Sequence, residues 1–211
     1  MEVNKILILA LLFSFLTFLL GISLGYYLNK YLFDLVYEEY ESVKLMVESM
    51  QYLTNDENYC DIEKFNFLTR SLDELGNKIA ILQNSKSFFI SENKFRLLKS
   101  QYFNLQYLHM SLARKMMERC NFNASIIIYF YDDSIECKEC DIQGYKLSLL
   151  KAKYRDNLLI YSFDISYKNS FIIYFKEIYS IDIVPSIILI TKNKTKVFRG
   201  LTDYEEIEKE L

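Results

Sequence analysis

The sequence predicts an α/β fold, in which a domain with the element order β-α-β-α-β-β-α is preceded by a transmembrane helix and a helical hairpin or stalk. Residues 6–28 form one uncharged apolar run. Residues 31–120 repeat apolar side chains at steps of three and four, the period of amphipathic helices. Residues 123–211 alternate short β-rich runs with helical segments. We therefore expect a transmembrane anchor over 6–28, a helical stalk or hairpin over 31–120 and an α/β domain over 123–211.

The composition is that of a folded protein. Of the 211 residues, 51% are hydrophobic and 25% are charged. The net charge of −3 and the absence of a basic stripe with interleaved aromatic residues predict that the chain does not bind nucleic acid. The chain has only 5 Gly and 1 Pro, so that few tight turns are expected and long helices should make up much of it.

The first predicted element is the anchor. Residues 6–28 are 23 residues without a charge, enough to cross a hydrocarbon core of about 30 Å as a helix. Tyr26, Tyr27 and Tyr31 cluster at the far end, where amphipathic rings favour the membrane interface. A cleaved signal peptide is the alternative, since Lys5 precedes the run. The run exceeds a usual signal core and no small-x-small cleavage site follows, which favours the anchor.

Three helices are predicted between residues 31 and 120, the first over about 31–53. The second apolar seam is Phe65, Leu68, Leu72, Leu75, Ile79 and Leu82, and the third is Phe95, Leu98, Tyr102, Leu105, His109, Leu112 and Met116. The polar stretches 83–87 and 91–93 predict the turn of an antiparallel pair. His109 is the single histidine and has no H-x-x-H or carboxylate pattern around it, so we expect a partly buried packing residue.

The α/β domain contains four predicted strands and three predicted helices. The strands are Ser125–Tyr131, Leu158–Phe163, Ser186–Ile190 and Lys194–Phe198, and the helices are Cys137–Arg155, about Tyr167–Ser180 and Asp203–Leu211. Strands that alternate with helices predict a sheet whose first strands are parallel and joined by crossover helices. The last two strands bracket a short polar turn, as in a hairpin.

A C-x-x-C motif follows the first predicted strand. Its spacing brings Cys137 and Cys140 within bonding distance across one helical turn, and the positive end of the helix favours a thiolate on Cys137. Such a thiolate attacks a disulfide, and the second cysteine resolves the mixed disulfide. Half a zinc site looks identical, but only Cys60, Cys120 and His109 can supplement it, so zinc is the poorer interpretation.

The only proline, Pro185, directly precedes the third predicted strand, and Gly200 follows the last one. Together with the element order and the C-x-x-C pair on a helix, this pattern resembles the thioredoxin-like superfamily in its minimal form. The resemblance implies a thiol–disulfide oxidoreductase with catalytic Cys137 and Cys140. It also implies that Pro185 is cis and faces the two cysteines, and that Val184 pairs with the substrate backbone.

The motif departs from the usual thioredoxin sequence. Thioredoxins usually have Trp before the first cysteine and Gly-Pro between the two, whereas Glu136, Lys138 and Glu139 stand at these positions. No obvious buried aspartate occupies the strand position that serves thioredoxins in proton transfer. Acidic residues crowd the motif, and like charges disfavour a thiolate, so Cys137 is expected to be less acidic than in strong oxidants.

The other two cysteines bear on the cellular compartment. Cys60 precedes the second helix and Cys120 ends the third, so both fall at one end of the hairpin, and we expect a structural disulfide between them. Two unrelated buried thiols are the alternative. Lys5 and Lys30 leave the positive-inside count nearly tied. A structural bridge beside a redox pair suits an oxidising space, which favours a cytoplasmic N-terminus and an extracytoplasmic domain.

The functional hypothesis is a single-pass, membrane-anchored oxidoreductase that acts on disulfides of exported proteins. Its expected partners are protein thiols and disulfides, a redox partner protein and the membrane, with neither a metal nor another cofactor. A non-catalytic binding or assembly module with the same fold is the main alternative. A copper chaperone using the C-x-x-C motif is disfavoured, because Met-rich and His-rich flanks are absent.

Overall fold

A computed structural model describes residues 2–53, 60–84 and 92–211. Within these ranges the elements are α1 (Glu2–Leu53), α2 (Ile62–Asn84), α3 (Glu92–Arg119), β1 (Ser125–Tyr131), α4 (Lys138–Tyr154), β2 (Leu158–Asp164), α5 (Ser170–Tyr179), β3 (Ser186–Ile190), β4 (Thr195–Arg199) and α6 (Tyr204–Glu208). The predicted order β-α-β-α-β-β-α from β1 onwards is confirmed. Residues 85–87 and 91 of the predicted turn at 83–87 and 91–93 lie outside the described residues.

The four strands form one sheet with the order β2-β1-β3-β4. Strands β1 and β2 are parallel, with Ser125 opposite Leu158. Strand β3 is antiparallel to β1, with Ser186 opposite Phe130, and β4 returns beside β3 as a hairpin. The carboxyl end of β1 and the start of β3 therefore lie side by side at one end of the sheet. This pairing brings the loop that leads to Cys137 close to Pro185, the residue before β3.

Helix α1 is continuous through the predicted span and the predicted helix at 31–53. Its large apolar residues between 6 and 28 are exposed, whereas Val36, Tyr40, Val43 and Val47 are buried against the other helices. The helix is long and apolar enough to cross a membrane, a property that a signal sequence shares. The first half of α1 is therefore apolar and exposed, and its second half packs against the rest of the fold.

Helix α3 is buried on two sides. The predicted seam lies largely within the core, as does the whole predicted seam of α2. A second set of α3 side chains is also buried, and it comprises Lys99, Phe103, Gln106, Met110, Ala113 and Met117. Phe103 packs edge-to-face against Phe163 of β2, with ring centroids 5.8 Å apart. The sequence pattern predicts only the first face, because the two apolar stripes of a helix between two layers overlap.

The sheet has an apolar core on each face. Ile126, Ile128 and Phe130 of β1 join the core built by α1, α2, α3 and α5. Ile127 and Tyr129 face the other way and pack with residues of α4 and α6. Alternation along β1 places successive side chains on opposite faces, and complete burial of each large apolar side chain is worth about 1.5–3 kcal/mol. The β1 run is therefore apolar throughout because both of its faces are covered.

Strand β2 lies at the edge of the sheet, and a side chain of α3 pairs with its backbone. The Ser162 amide donates to Gln106 Oε1 at 2.9 Å, and Gln106 Nε2 donates to the Ser162 carbonyl at 3.2 Å. Lys151 Nζ of α4 donates to the Leu158 carbonyl at 3.0 Å. These contacts satisfy backbone groups that an edge strand otherwise leaves without a strand partner.

His109 links three elements of the fold. It is fully buried, rather than partly buried as expected from the sequence. Its Nδ1 lies 2.7 Å from the Tyr161 hydroxyl of β2, and its Nε2 lies 3.2 Å from Thr69 Oγ1 of α2. Burial, with a smaller contribution from the charge of Lys151, lowers the pKa of His109 to about 3. The imidazole is therefore neutral and structural at physiological pH.

Replacing His109 with Gln should flatten the dependence of stability on pH. In the unfolded chain the histidine pKa is about 6.5, so below that pH protons bind the unfolded state in preference to the folded state. The free energy of unfolding should therefore fall by up to about 1.4 kcal/mol per pH unit as the pH drops from 6.5 towards 3. His109→Gln removes this contribution while it lowers stability at neutral pH. Denaturant unfolding of the wild type and of His109→Gln at pH 6.5, 5.5 and 4.5 measures how the free energy of unfolding of each protein depends on pH. The same pH dependence in both proteins would contradict a buried neutral imidazole.

Candidate redox site

Cys137 is the residue that caps α4. Its carbonyl accepts hydrogen bonds from the amides of Cys140 at 3.0 Å and Asp141 at 3.3 Å, and its Sγ also accepts from the Cys140 amide at 3.2 Å. The sulfur therefore lies among the free N–H groups at the positive end of the helix, where a thiolate is stabilised. Glu139 and Asp141 in the first turn are favourable for the same helix dipole.

The two cysteines of the motif differ in access. Their Sγ atoms are 2.02 Å apart, so the structure shows the pair as a disulfide. Cys137 is partly exposed, whereas Cys140 is buried, with 6% of its surface accessible. A reagent that approaches from solvent thus reaches Cys137 more readily than Cys140. This difference suits a reaction in which Cys137 attacks the substrate and Cys140 releases it.

The Tyr129 side chain of β1 contacts the first turn of α4. Its hydroxyl donates to the Cys140 carbonyl at 2.7 Å. Burial raises the pKa of Tyr129, and the carboxylates of Asp141 and Asp133 raise it further, so the phenol keeps the proton that it donates. Sequence reasoning missed this contact. The available signal was a tyrosine hydroxyl inside the buried part of a strand, where it needs a hydrogen-bond partner.

Pro185 lies at the same edge of the sheet as the motif. The Val184–Pro185 bond is cis, Pro185 is buried and Val184 is partly buried. Ser186 pairs with Phe130, so Pro185 is adjacent to the end of β1, from which the loop to Cys137 leaves. The Pro185 carbonyl accepts from the Gly200 amide at 2.8 Å, which ties the start of β3 to the end of β4.

Cys60 and Cys120 lie at the other end of the sheet. Their Sγ atoms are 2.08 Å apart, and the pair joins the segment before α2 to the segment after α3. Cys120 precedes the first residue of β1, while the motif follows the last one. Seven residues of strand separate these ends by roughly 20 Å. Neither Cys60 nor Cys120 is therefore in a position to complete a metal site with Cys137 and Cys140.

A buried ion-pair cluster connects α3 to the loop before the motif. Lys99 Nζ lies 2.5 Å from Asp133 Oδ2 and 3.3 Å from Asp164 Oδ2, and it donates to Gln83 Oε1 at 2.9 Å. The side chains of Lys99 and Asp164 are almost completely buried. The sequence did not indicate a buried carboxylate beside the motif. Asp164 supplies one at the end of β2, opposite Tyr131, and Lys99 neutralises it from α3, a helix that the sequence predicts only as part of a stalk.

The acidic residues around the motif are largely solvated. Lys138 and Glu136 form an ion pair at 3.6 Å, but both side chains are more than four-fifths exposed, and such pairs contribute little to stability. Glu139 and Asp141 are exposed as well. Asp132 has a local structural role, because its carboxylate accepts from the Ser134 amide at 2.8 Å and shapes the loop. Solvent screening thus weakens the like-charge effect expected from the sequence.

Two adjoining clefts surround the site. One, of about 440 Å³, is lined by Cys137, Cys140 and Ile135 together with Tyr131 and Ser162. The second, of about 400 Å³, lies between α2, α3 and the edge of β2 and shares Tyr131 and Ser162 with the first. Cys137 therefore lies at the end of a groove rather than on a flat surface.

Four features together define a thioredoxin-like fold. They are the strand order, the helices on both faces of the sheet, the C-x-x-C pair at the start of the first crossover helix and the cis proline before β3. Residues from β1 to α6 have this fold.

Solved structures similar to the chain are thioredoxin-fold proteins. A thioredoxin-2, described as a component of the malaria parasite protein secretion machinery, is 19% identical and aligns over 40% of this chain and 78% of its own, with a TM-score of 0.34. Chloroplastic thioredoxin z is 14% identical over 47% and 83%, with a TM-score of 0.37. Deadhead of Drosophila melanogaster is 19% identical over 48% and 90%, with a TM-score of 0.36. No family model and no curated protein matches the chain. The assignment of the fold rests on the topology described above.

Replacing Lys99 with Met should destabilise the protein strongly. The change removes the cation that neutralises the buried Asp164, and breaking a buried pair from one side costs about 3–5 kcal/mol. The double variant Lys99→Met/Asp164→Asn should recover part of that loss, because the unpaired charge is then gone. Denaturant unfolding of the wild type, both single variants and the double variant measures the coupling. Strictly additive losses would show that the two side chains do not interact.

Proposed function

We propose that the protein is a membrane-anchored thiol–disulfide oxidoreductase that acts on disulfides of exported proteins through Cys137 and Cys140. The observation that carries this proposal is the geometry of the pair: a partly exposed Cys137 at the helix N-terminus, bonded to a buried Cys140. The position of Pro185 at the same sheet edge supports it.

The reaction is a two-step exchange. In the reduced protein, the Cys137 thiolate attacks one sulfur of a substrate disulfide. A bond forms between them, the substrate S–S bond breaks, and the other substrate sulfur leaves as a thiolate that takes up a proton. Cys140 then loses its proton and attacks Cys137 Sγ, which releases the second substrate thiol. Two electrons pass from the pair to the substrate. The same steps in reverse oxidise a substrate dithiol, and a redox partner protein restores the pair in either direction.

Other residues have supporting roles in this proposal. The backbone of Val184 pairs with the substrate chain next to its cysteine, as the resemblance implies, and Pro185 shapes that surface. Tyr129 is a positioning residue, since its hydrogen bond to the Cys140 carbonyl fixes the first turn of α4 relative to β1. The chemistry requires protein thiols or disulfides and neither a metal nor another cofactor.

The cellular placement is also part of the proposal. The apolar half of α1 is the anchor, and its side chains over 6–28 are exposed as a lipid-facing surface requires. The pairing of Cys60 with Cys120 favours a disulfide-permissive space for the rest of the chain. The N-terminus is then cytoplasmic and the thioredoxin-like domain is extracytoplasmic.

Single substitutions of the pair should separate attack from release. Cys137→Ser is expected to abolish disulfide exchange, because no thiolate starts it. Cys140→Ser is expected to accumulate mixed disulfides with substrates, because only Cys140 releases Cys137. Insulin reduction and oxidative refolding assays measure activity, and non-reducing gels of Cys140→Ser detect the trapped species. Full activity in both variants would disprove catalysis by the pair. A wild-type protein that is inert in both assays would favour a binding or assembly module.

The compartment is tested through Cys60 and Cys120. We expect both to be disulfide-bonded in the native membrane fraction and to resist mild reduction that opens Cys137–Cys140, since structural bridges resist reduction better than exposed catalytic ones. Differential alkylation of intact membranes followed by peptide mapping reports each cysteine. A cysteine-free stalk variant, Cys60→Ala/Cys120→Ala, serves as the control for alkylation of the redox pair. Free Cys60 and Cys120 thiols in the native fraction would argue against export of the domain.

A further inference from the structure

The direction of the helices shows which end of the domain faces the anchor. Helix α1 leaves its apolar half at Leu28 and packs into the fold from about Val36 onwards. Lys78, near the end of α2, forms an ion pair with Glu39, near the start of the packed half of α1, at 2.5 Å. The start of α2 follows the end of α1 in the chain. The two helices are therefore antiparallel, and α2 runs back towards the anchor.

The loop before Cys137 lies at the anchor-facing end of α2. Gln83, in the last turn of α2, donates from Nε2 to Asp133 Oδ2 at 2.8 Å. Lys99, in the second turn of α3, contacts both Gln83 and Asp133. Helix α3 then leads away from the anchor to Cys120, and β1 leads back to the loop. The carboxyl end of β1, with the redox pair, therefore points towards the anchor.

Helix geometry gives the height of this end above the apolar span. Glu39 is 11 residues beyond Leu28, or about 16 Å along α1. Gln83 is five residues beyond Lys78, which brings the chain back by about 7 Å. Asp133, bonded to Gln83, thus lies roughly 10 Å above the end of the span. The headgroup layer on each side of a bilayer is about 5–8 Å thick. The loop is therefore at the level of the membrane surface.

The exposed side chains differ between the two ends of the sheet. At the redox end, Ile135 is 57% exposed, Ile183 is 48% exposed and Leu201 is 40% exposed. At the opposite end, the exposed turn of the β3–β4 hairpin is Lys192-Asn193-Lys194. The end that faces the anchor thus presents large apolar side chains among the exposed carboxylates of Glu136, Glu139 and Asp141, whereas the hairpin turn at the far end presents polar and basic side chains.

We propose that the redox pair faces the bilayer and exchanges disulfides with cysteines of membrane-anchored proteins that lie close to the membrane surface. This inference rests on the proposed function and names its substrate class. A cysteine held within about one headgroup thickness of the bilayer meets Cys137 directly. A cysteine carried tens of ångströms above the membrane is held at the level of the hairpin turn, away from Cys137.

A depth measurement tests the orientation without relying on activity. In full-length Cys140→Ser, a fluorophore on Cys137 is placed in vesicles that contain lipids with nitroxide headgroups. The matched control carries the fluorophore on Asn193→Cys in the Cys137→Ser/Cys140→Ser background, and both variants keep the Cys60–Cys120 pair. Quenching should be several-fold stronger at position 137 than at position 193. Equal quenching, or stronger quenching at position 193, would overturn the proposal.

A molecular ruler tests the substrate class. Single-span peptides carry one cysteine as a mixed disulfide with thionitrobenzoate, raised about 10 Å or about 40 Å above the bilayer on a helical EAAAK spacer. Reduced wild-type protein in the same vesicles should release thionitrobenzoate several-fold faster from the lower cysteine, whereas soluble versions of the two peptides should react equally. Equal rates for the anchored peptides would overturn the preference. Failure to react even with a small soluble disulfide would instead reject the oxidoreductase proposal, and the substrate class with it, while the depth measurement still decides the orientation.

Discussion

Helix α3 is covered by α1 and α2 on one side and by the sheet on the other, and most of the molecule is arranged around that packing. The helix closes the face of the sheet that α5 covers only in part, so the apolar side chains of β1 and β2 on that face are buried by it. It also carries contacts that hold α1 and α2 to the domain. Without α3 the sheet would expose one of its two cores, and α2 would be held to the domain by polar contacts such as Gln83 to Asp133 and Asp73 to Lys151.

Polar side chains set the register of this packing. Lys99, Gln106 and His109 recur along α3 at helical spacing, and each contacts β2, at Asp164, Ser162 and Tyr161 respectively. A displaced polar group loses its hydrogen bond inside the core, where an unsatisfied donor or acceptor is costly. The three contacts thus fix α3 relative to β2. Through Lys99 they also fix the loop that leads to Cys137.

Sequence reasoning captured the features that local pattern encodes. The element order from β1 onwards follows from strand and helix periodicity, and the α2 seam from Phe65 to Leu82 is buried throughout. The positions of Cys137 and Pro185 at one sheet edge also follow, because the topology brings the end of β1 beside the start of β3. These predictions needed no knowledge of contacts between distant residues beyond the pairing of the strands.

The missed features depend on partners that are distant in the chain. Lys99 looks like an ordinary surface lysine until Asp164, 65 positions away, is placed beside it. Gln106 and Tyr129 are equally unremarkable as residue types, and their roles come from the backbone groups that they reach. The continuity of α1 was missed because the change from apolar to charged composition after Leu28 suggests a boundary, although no proline interrupts the helix there.

Because α1 is continuous, the orientation of the domain in the proposed enzyme depends on the thickness of the bilayer. An uncharged run of 23 residues is about 34 Å long as a helix, slightly more than a typical hydrocarbon core, and such an excess is usually accommodated by tilting. Because α1 has no joint between the span and the packed half, a tilt of the span rotates the whole domain as a lever. A change of a few ångströms in membrane thickness, between organelles or between lipid mixtures, thereby changes the angle at which the redox pair meets the surface.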